Sequence, residues 1–363
     1  MRVLVLATDV FGGTGGIARY TRDFVAAVAS YPATVHVTVI PRVIAREPEP
    51  LPPRVTYLTG PAGSKTRFVS TVLREASRRP GFDWIVCAHI NLLSVAHAAA
   101  ALSGARVFLL IYGIEVWESR NRLTRLLMER TNAVASISEF TLDKMRSWAP
   151  LPAGATFLLP NAIDLSGYTP GKPSPRVREK WGLDGRRVLL TVGRMDAREQ
   201  AKGFDEILDV LPRLLQEAPD LVYVVVGDGS DRARLEKKAR NLGIEKSVVF
   251  AGYVDEAEKL DYYRTADVFV MPSRLEGFGY VFLEALAAGI PVIASKVDGS
   301  REAVRDGALG ILVDPAQAEE LVSAIKSALA KPFLPPRHEI EFFAWPNFER
   351  RCHAALDSIR GVD

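Results

Sequence analysis

Short apolar runs separated by stretches with helical spacing recur along almost the whole chain. Such runs are typical of strands buried on both faces, as in parallel sheets that are covered by helices. In the first half, the pattern predicts a helix from about 17 to 29 and strands at 3–7, 35–40, 84–89, 107–112, 133–138 and 156–160. In the second half, it predicts strands at 188–193, 223–227, 248–252, 268–272, 291–295 and 310–314.

A polar, proline-rich passage, YTPGKPSP (168–175), interrupts this alternation. Alternation of strands and helices on both sides of it predicts two Rossmann-like domains of the α/β class, each with its own parallel sheet. The length of 363 residues allows each domain a full hydrophobic core. We therefore expect an N-terminal domain at 1–165 and a C-terminal domain at 166–335.

Composition favours a cytoplasmic protein. The two cysteines suggest no disulfide framework, and no apolar run approaches the length that a membrane span needs. The run at 3–7 is too short for the core of a signal peptide.

The net charge of +3 is divided unevenly, with +6 in residues 1–165 and −3 in the remainder. Residues 65–79 and 117–130 interleave apolar and basic residues at helical spacing. These two segments are either ordinary amphipathic helices with solvated basic faces or a surface that attracts anionic lipid or phosphate. Nothing in the chain matches a module that reads nucleic acid, so we expect no nucleic-acid partner.

The segment EGFGYVFLE (276–284) places two acids eight positions apart, after a predicted strand and inside the following helix. In open α/β sheets, ligands bind where the carboxyl ends of strands meet helix N-termini. Glu276 and Glu284 could therefore contact two parts of one extended polar ligand, or Glu276 could simply cap the helix while Glu284 is a solvated residue. Gly277 and Gly279 carry no Cβ, so the backbone there can approach a ligand closely.

A second cluster of polar residues follows the strand at 188–193. Arg194 comes directly after Gly193, and Lys202 precedes Gly203, which opens the next helix. A diphosphate needs cations and amide donors, and these two side chains with a helix N-terminus provide both. Taken alone, such residues are more often surface charges.

Together these segments resemble the retaining glycosyltransferases of the GT-B fold, in particular the glycosyltransferase group 4 (group 1 transferase) family. The resemblance rests on its E-x7-E motif at 276–284 and covers about nine-tenths of the chain. The other matching segments are GGIARY (15–20), SISEFT (136–141), LPNAID (159–164), VGRMDAREQAKGFDEIL (192–208), VVVGDGSDRARLE (224–236), VVFAGYV (248–254), LAAGIPVIAS (286–295) and GSREAVRDGALGILVDP (299–315).

This resemblance implies a GT-B architecture, with two Rossmann-like domains facing a central cleft and a C-terminal helix at 336–363 that crosses back onto the first domain. It implies that Arg194 and Lys202 hold the donor diphosphate and stabilise the leaving group, that Glu284 contacts the ribose, and that Glu276 contacts hydroxyls of the transferred sugar. Backbone amides of Gly277, Phe278 and Gly279 would face sugar and phosphate, and Gly252, Tyr253 and Val254 the base.

The resemblance leaves catalysis less defined. The family's favoured mechanism is front-face substitution, in which the departing phosphate takes the proton of the acceptor. Many relatives carry a histidine where this chain has Tyr112 in YGIEVW. Tyr112 and Glu115 remain candidates for contact with acceptor or sugar. His89 is a further candidate, although a lone histidine at a strand end is as often structural. We expect no metal and no cofactor, because no cluster of ligands at metal-binding spacing occurs.

The loop FGGTGGIARY also satisfies G-x-G-x-x-A through Gly13, Gly15 and Ala18, which is the dinucleotide fingerprint. That fingerprint requires an acid near the end of the second strand, and the chain has Ile40-Pro41-Arg42 there. An NAD-dependent oxidoreductase is therefore a weaker alternative. In the family this loop faces the cleft, so Gly13, Gly15 and Gly16 are secondary candidates for the donor site.

We therefore predict a retaining, metal-independent hexosyltransferase. It would transfer a mannose-, glucose-, galactose- or N-acetylglucosamine-type sugar from a nucleoside-diphosphate sugar to a glycan, a lipid-linked sugar or a small hydroxyl acceptor. The expected setting is polysaccharide or envelope assembly in the cytoplasm, with peripheral contact at the inner face of the membrane. The alternatives are a nucleotide-sugar epimerase or phosphorylase of the same fold, or a non-catalytic protein that binds nucleotide-sugars.

Overall fold

The computed structural model describes residues 1–333 and 335–360. These residues form two compact units, one of residues 1–162 with 345–360 and the other of residues 163–333 with 335–344. Residue 334 and residues 361–363 lie outside the described part. Each unit is built on one parallel sheet, as the alternating pattern predicts.

The first unit contains a seven-stranded sheet in the order β3-β2-β1-β4-β5-β6-β7. Its strands are β1 Arg2–Ala7, β2 His36–Pro41, β3 Val55–Tyr57, β4 Trp84–Cys87, β5 Arg106–Ile111, β6 Ala133–Ser136 and β7 Thr156–Leu158. Its helices are α1 Gly16–Ser30, α2 Lys65–Ala76, α3 Leu93–Ser103, α4 Arg122–Glu129, α5 Glu139–Arg146 and the C-terminal helix, α14 Trp345–Arg360. Short 3-10 turns lie at Ile90–Leu92 and Ile114–Val116.

The second unit contains a six-stranded sheet in the order β10-β9-β8-β11-β12-β13. Its strands are β8 Arg187–Val192, β9 Leu221–Val226, β10 Val248–Gly252, β11 Val268–Met271, β12 Val292–Ser295 and β13 Ile311–Val313. Its helices are α6 Pro175–Trp181, α7 Phe204–Glu217, α8 Arg232–Asn241, α9 Glu256–Thr265, α10 Tyr280–Ala287, α11 Ser300–Ala303, α12 Ala318–Ala330 and α13 Arg337–Ile340. Three 3-10 turns lie at Glu245–Ser247, Arg305–Gly307 and Glu341–Phe343.

The strand centres are buried because they are apolar on both faces. Every residue of β9 and β11 is buried, and β1 is buried from Val3 to Ala7. Every pairing between named strands within each sheet is parallel. All carboxyl ends therefore lie along one edge of each sheet, and that edge is where the loops with candidate chemistry emerge.

The C-terminal helix α14 packs in the first unit. Ser30 at the end of α1 donates to Glu349 of α14, and the pair of Tyr31 and Asp357 also joins the two segments. Phe348 is fully buried with its ring against Tyr20 of α1, at a centroid distance of 5.6 Å. The last helix thus completes the core around α1.

Candidate active site

The centre of the candidate site in the second unit is an ion pair between Lys202 and Glu276. Lys202 Nζ lies 2.5 Å from Glu276 Oε2, and both side chains are partly buried. Burial alone would lower the pKa of Lys202, but the attraction of Glu276, with smaller contributions from Glu199 and Asp298, outweighs it and raises that pKa. The lysine is therefore a stable cation beside a carboxylate.

The sequence brings this pair together through Gly203, which precedes α7. Gly203 has a φ of +85°, and a Cβ there would lie 2.6 Å from the Pro272 side chain at the end of β11. Only glycine accommodates both the torsion and this close approach. The start of α7 can therefore lie against the end of β11, so that Lys202 reaches the turn that follows β11.

Asp298, at the end of β12, holds that turn in place. Its Oδ2 accepts from the Glu276 amide at 2.9 Å and from the Ser273 hydroxyl at 2.6 Å. Its Oδ1 accepts from the Ser300 hydroxyl at 2.6 Å and from the Ser300 amide at 3.0 Å. Burial, with a smaller contribution from the charge of Glu276, raises the pKa of Asp298, although the hydrogen bonds from Ser273, Ser300 and the Glu276 amide oppose the effect. Asp298 thereby ties the ends of β11 and β12 to the backbone of Glu276.

Gly299 holds the backbone of Glu276 at its carbonyl group. Its amide donates to the Glu276 carbonyl at 2.9 Å. A Cβ on Gly299 would lie only 2.1 Å from the Gly277 carbonyl oxygen, so the close contact of the two backbones requires glycine here. The backbone that carries Glu276 is therefore fixed at both its N–H and its C=O.

The turn between Glu276 and α10 presents backbone donors. In the part of the chain that the structure describes, the amides of Gly277, Phe278 and Gly279 donate to no protein acceptor. The Phe278 ring is buried and packs on Phe343 with centroids 5.6 Å apart, so only its backbone can meet a ligand. Three free amides beside a lysine are suited to an anionic or hydroxyl-rich ligand.

Arg194 lies in the loop after β8, where it is 64% exposed. Its guanidinium pairs within its own loop, with Glu199 at 3.2 Å and Asp196 at 3.5 Å. The structure therefore does not place Arg194 in contact with Lys202 or Glu276. An exposed guanidinium with local partners can reorient toward a ligand at low cost.

Glu284 lies inside α10 and is only 1% exposed. Its Oε2 accepts from the Tyr263 hydroxyl at 2.8 Å and from Lys259 Nζ at 3.2 Å, both on α9. Burial and the neighbouring Glu284 raise the pKa of Tyr263, which stays a neutral donor. The two acids of the motif therefore lie in different elements and have different partners. Helix α10 begins at Tyr280, so Glu276 precedes the helix and pairs with a different lysine.

The segment expected to face the base follows β10. Gly252 has a φ of +76° and accepts from the Gly227 amide at 2.8 Å. Tyr253 is 73% exposed, whereas Val254 is buried. Tyr253 is thus an accessible aromatic side chain at the carboxyl edge of this sheet.

In the first unit, the glycine loop leads from β1 into α1. Gly13 is packed so tightly that a Cβ would lie 2.4 Å from the Asp9 carboxyl carbon. Gly15 precedes α1 with a φ of +88°, in open space, and no side chain caps the helix that Gly16 begins. The loop therefore presents an open helix N-terminus at the carboxyl edge of the sheet.

His89 lies between β4 and the 3-10 turn that follows it. Its Nδ1 accepts from the Asn91 amide at 3.1 Å, so a neutral ring would carry its proton on Nε2. Burial, together with the positive charges of Arg120 and Arg42, lowers the pKa of His89. The ring is therefore neutral near pH 7 in a positively charged surrounding.

Tyr112, directly after β5, is buried. Its hydroxyl lies 3.1 Å from the Thr21 hydroxyl and donates to the Ala88 carbonyl at 3.2 Å. The Glu115 carboxylate accepts from the Tyr112 amide at 2.6 Å, and burial raises the pKa of Glu115. The structure thus joins Tyr112 and Glu115 through the backbone, while the phenol is occupied inside the unit.

The charged and aromatic residues that sequence reasoning missed in these networks include Asp298, Tyr263 and Lys259. Asp298 follows the predicted strand at 291–295, and its position at a strand's carboxyl end is the signal that could have identified it. Tyr263 and Lys259 are four positions apart on α9, but nothing in their spacing points to Glu284. Among the described residues, no group of three or more His, Cys, Asp or Glu side chains could hold a metal ion.

Comparison with known proteins identifies the family to which this chain belongs. The model of the glycosyl transferases group 1 matches residues 174–341, and that of glycosyltransferase family 4 matches residues 14–166. A D-inositol 3-phosphate glycosyltransferase of Rhodococcus jostii is 32% identical in an alignment of 324 positions that covers 81% of this chain and 70% of that protein. The chain belongs to this family of glycosyltransferases.

One further sequence relative and one solved structure are similar to this chain. A GDP-mannose-dependent alpha-(1-6)-phosphatidylinositol monomannoside mannosyltransferase of Mycolicibacterium smegmatis is 32% identical over 64% of this chain, which spans 63% of that protein's length. The crystal structure of Anabaena HepE with UDP-glucose superposes with a TM-score of 0.78 at 21% identity, covering 99% of this chain and 100% of HepE. The GT-B fold class and the family predicted from the sequence are confirmed.

Proposed function

We propose that the chain is a retaining, metal-independent hexosyltransferase that uses a nucleoside-diphosphate sugar. The observation that carries the proposal is the Lys202–Glu276 pair beside the free amides of Gly277, Phe278 and Gly279. It combines a cation for a diphosphate with a carboxylate for sugar hydroxyls. Membership of a glycosyltransferase family supports the same chemistry.

Donor binding exchanges the partners of this pair. The diphosphate takes Lys202, and Arg194 turns from Glu199 and Asp196 toward it, because a doubly charged phosphate group attracts both cations more strongly than a single carboxylate. Glu276 is then released to accept hydrogen bonds from sugar hydroxyls. Within the same unit, Glu284 contacts the ribose.

The transfer step then proceeds on one face of the sugar. The bond between the anomeric carbon and the phosphate oxygen breaks, and the acceptor oxygen forms a bond to that carbon from the same side. The acceptor's proton passes to the departing phosphate oxygen. Lys202 and Arg194 stabilise the negative charge that develops on the diphosphate, which is electrostatic stabilisation of the leaving group without a metal.

GDP-mannose is the first donor to test, since the Mycolicibacterium smegmatis relative is GDP-mannose-dependent by name. UDP-glucose is the second, since it is bound in the HepE structure. Tyr253 and its backbone neighbours Gly252 and Val254 would contact the base. The acceptor class we propose is a glycan, a lipid-linked sugar or an inositol phosphate, in cytoplasmic polysaccharide or envelope assembly.

The test begins with melting temperature against UDP, GDP, ADP, dTDP, CMP and NAD. A ligand at a hundred times its dissociation constant adds about 2.7 kcal/mol of stability. We expect a shift with one nucleoside diphosphate, and a shift with NAD alone would favour an oxidoreductase.

Turnover of the matching donor with EDTA present, followed by assignment of the product's anomeric configuration by NMR, tests metal independence and retention. Interconversion of the donor sugar without an acceptor would indicate an epimerase instead.

We also propose peripheral contact with an anionic membrane through α4. Leu123 and Leu126 are 55% and 45% exposed on this helix, and Arg122 and Arg125 flank them. None of the described helices is long and apolar enough to span a membrane. Flotation with phosphatidylglycerol vesicles tests the contact: the double variant Leu123→Ser/Leu126→Ser should lose binding, and equal binding by both proteins would contradict it.

A further inference from the structure

A cavity of about 260 Å³ lies in the first unit, at the amino edge of its sheet. It is lined by the first residues of two strands, Arg2 of β1 and His36 of β2, and by Arg78 and Arg79 after α2. The glycine loop and His89 lie at the opposite, carboxyl edge. Along β1 the two edges are about 17 Å apart, at roughly 3.3 Å per residue.

The sheet directs a polar set of side chains into this cavity. Arg2 pairs with His36 across β1 and β2, and Thr38 pairs with Thr56 across β2 and β3. Side chains two positions apart on a strand share a face, so His36 and Thr38 point the same way, and their cross-strand partners point with them. Two hydroxyls, an imidazole and a guanidinium therefore replace the apolar residues that cover most of this sheet.

The charges of the cavity are not balanced by the protein. Glu75 is the one acid in its lining, and Arg78 already pairs with it at 2.7 Å. Among residues 1–333 and 335–360, neither Arg2 nor Arg79 has an ion-pair partner. Arg2 Nε is also buried and makes no hydrogen bond within the described chain. A buried donor of this kind is costly unless a ligand or water accepts from it.

From this geometry we infer a binding site for a phosphate group. Two unpaired guanidinium groups present several N–H donors and two positive charges, and this arrangement matches the three oxygens and the double charge of a phosphomonoester. The Thr38 and Thr56 hydroxyls add two donors. The volume is slightly below that of usual pockets for drug-sized ligands, so the site suits a phosphate with a small attached group.

The phosphate could belong to a soluble phosphorylated metabolite or to a phospholipid headgroup, and the experiment separates these sources. We would measure binding of inorganic phosphate by calorimetry at constant ionic strength, with acetate as the comparison anion. We would then measure flotation with phosphatidylcholine vesicles with and without phosphatidic acid. For the flotation, all proteins would carry Leu123→Ser/Leu126→Ser, so that α4 does not contribute.

The deciding variants are Arg79→Gln, which changes an exposed side chain, and Arg2→Gln/Arg79→Gln. Arg67→Gln is the matched control, because it removes the same charge from an exposed position on α2 outside the cavity. We expect each cavity substitution to weaken phosphate binding about tenfold, since hydrogen bonds between charged groups are worth roughly that much. The control should bind as the unsubstituted protein does.

Either source would support the site. Phosphate binding without attachment to phosphatidic acid vesicles would identify a soluble ligand. Attachment that needs Arg79 and is displaced by free phosphate would identify a headgroup. The inference would be overturned if phosphate did not bind, if acetate bound equally well, or if Arg67→Gln weakened binding as much as Arg79→Gln. None of these outcomes depends on glycosyl transfer, so the site and the proposed activity can fail separately.

Discussion

The carboxyl edges of the two sheets share a strand order but differ in chemistry. In each unit the first strand is third in the sheet, with the next two strands on one side and the remaining strands on the other. The first unit places an open helix N-terminus at that edge, after Gly15, and a neutral His89. The second unit places the charged groups Lys202, Glu276 and Asp298 there.

The two units position their ligand-binding groups in different ways. In the first unit, backbone shape positions amide donors, and little charge has to be rearranged when a ligand arrives. In the second unit, the ionic groups hold one another in position, so a ligand must replace one of the partners. Substitutions at matched positions of the two edges can therefore distinguish loss of charge from loss of backbone geometry.

The largest effect is expected from Glu276→Ala. Loss of the carboxylate removes the contact with sugar hydroxyls and should lower kcat about a thousandfold, as for other groups that act on the transition state. Lys202 remains and loses a competitor for the diphosphate, so nucleotide affinity should stay nearly intact. The measurement is donor turnover together with nucleotide calorimetry. Glu217→Ala, at an exposed ion pair with Lys326, is the control. Full residual turnover in Glu276→Ala would refute the assignment of this residue.

The next comparison concerns two glycines, one at each edge. Gly299→Ala forces a Cβ to within 2.1 Å of the Gly277 oxygen and should destabilise the protein by about 3 kcal/mol, as overpacking does. Gly15→Ala meets no atom within 4 Å but must adopt a φ of +88°, which costs about 1 kcal/mol. Urea unfolding of both variants checks the order. If Gly15→Ala lowered the free energy of unfolding more than Gly299→Ala, backbone torsion rather than steric crowding would explain the need for glycine at both edges.

A smaller effect is expected from Asp298→Asn, which preserves volume but replaces an acceptor with a donor. Some of the donors from Ser273, Glu276 and Ser300 then lose their acceptor, at a cost of about 2 kcal/mol. Because Asp298 acts through the backbone of Glu276, kcat should fall while the nucleotide Kd remains unchanged. Asp306→Asn, in an exposed pair with Arg301, should change neither quantity. A weaker nucleotide Kd in Asp298→Asn would contradict a purely positioning role.

The smallest effect concerns acid stability in the second unit. Burial alone would raise the pKa of Asp205, but hydrogen bonds from Arg234 and Lys238 outweigh it and lower that pKa below 3.8. The stabilisation is therefore present above pH 3.8 and is lost as the pH falls through the lowered value. At neutral pH, Asp205→Asn should cost about 1 kcal/mol, since the group is partly exposed. Unfolding free energies measured against pH should converge for variant and parent at low pH. Asp184→Asn, an exposed control, should show no such change, and a constant gap at Asp205 would rule out the ionic explanation.

The sequence predicts the elements of the fold better than their contacts. The strand at 248–252 is confirmed to the residue, because it has a strong local pattern and a turn residue at its end. Strand β3 at Val55–Tyr57 was missed, since three residues after two prolines show no periodicity. Hydrophobic periodicity therefore identifies those elements that are long enough for the pattern to repeat.

For the candidate site, too, the sequence predicts the positions of residues better than their contacts. Arg194 and Glu276 follow β8 and β11, as the sequence pattern predicts, whereas the pairings of the candidate residues were not predicted. Lys202 and Glu276 are 74 positions apart and meet only because β8 and β11 are adjacent in the sheet. Asp298 reaches the Glu276 amide for the same reason, through the pairing of β11 with β12. Such contacts depend on strand order, which hydrophobic periodicity does not specify.

The four hydrogen bonds of Asp298 have a consequence for local unfolding. A turn rich in glycine would ordinarily open on its own, at a fraction of the free energy needed to unfold the domain. Here the Glu276 amide donates to Asp298, a buried side chain in the loop after β12, so we expect it to exchange with solvent only when that loop separates from the turn. The backbone of Glu276 is thus tied to the sheet, and the carboxylate that it carries stays in register with the strand ends.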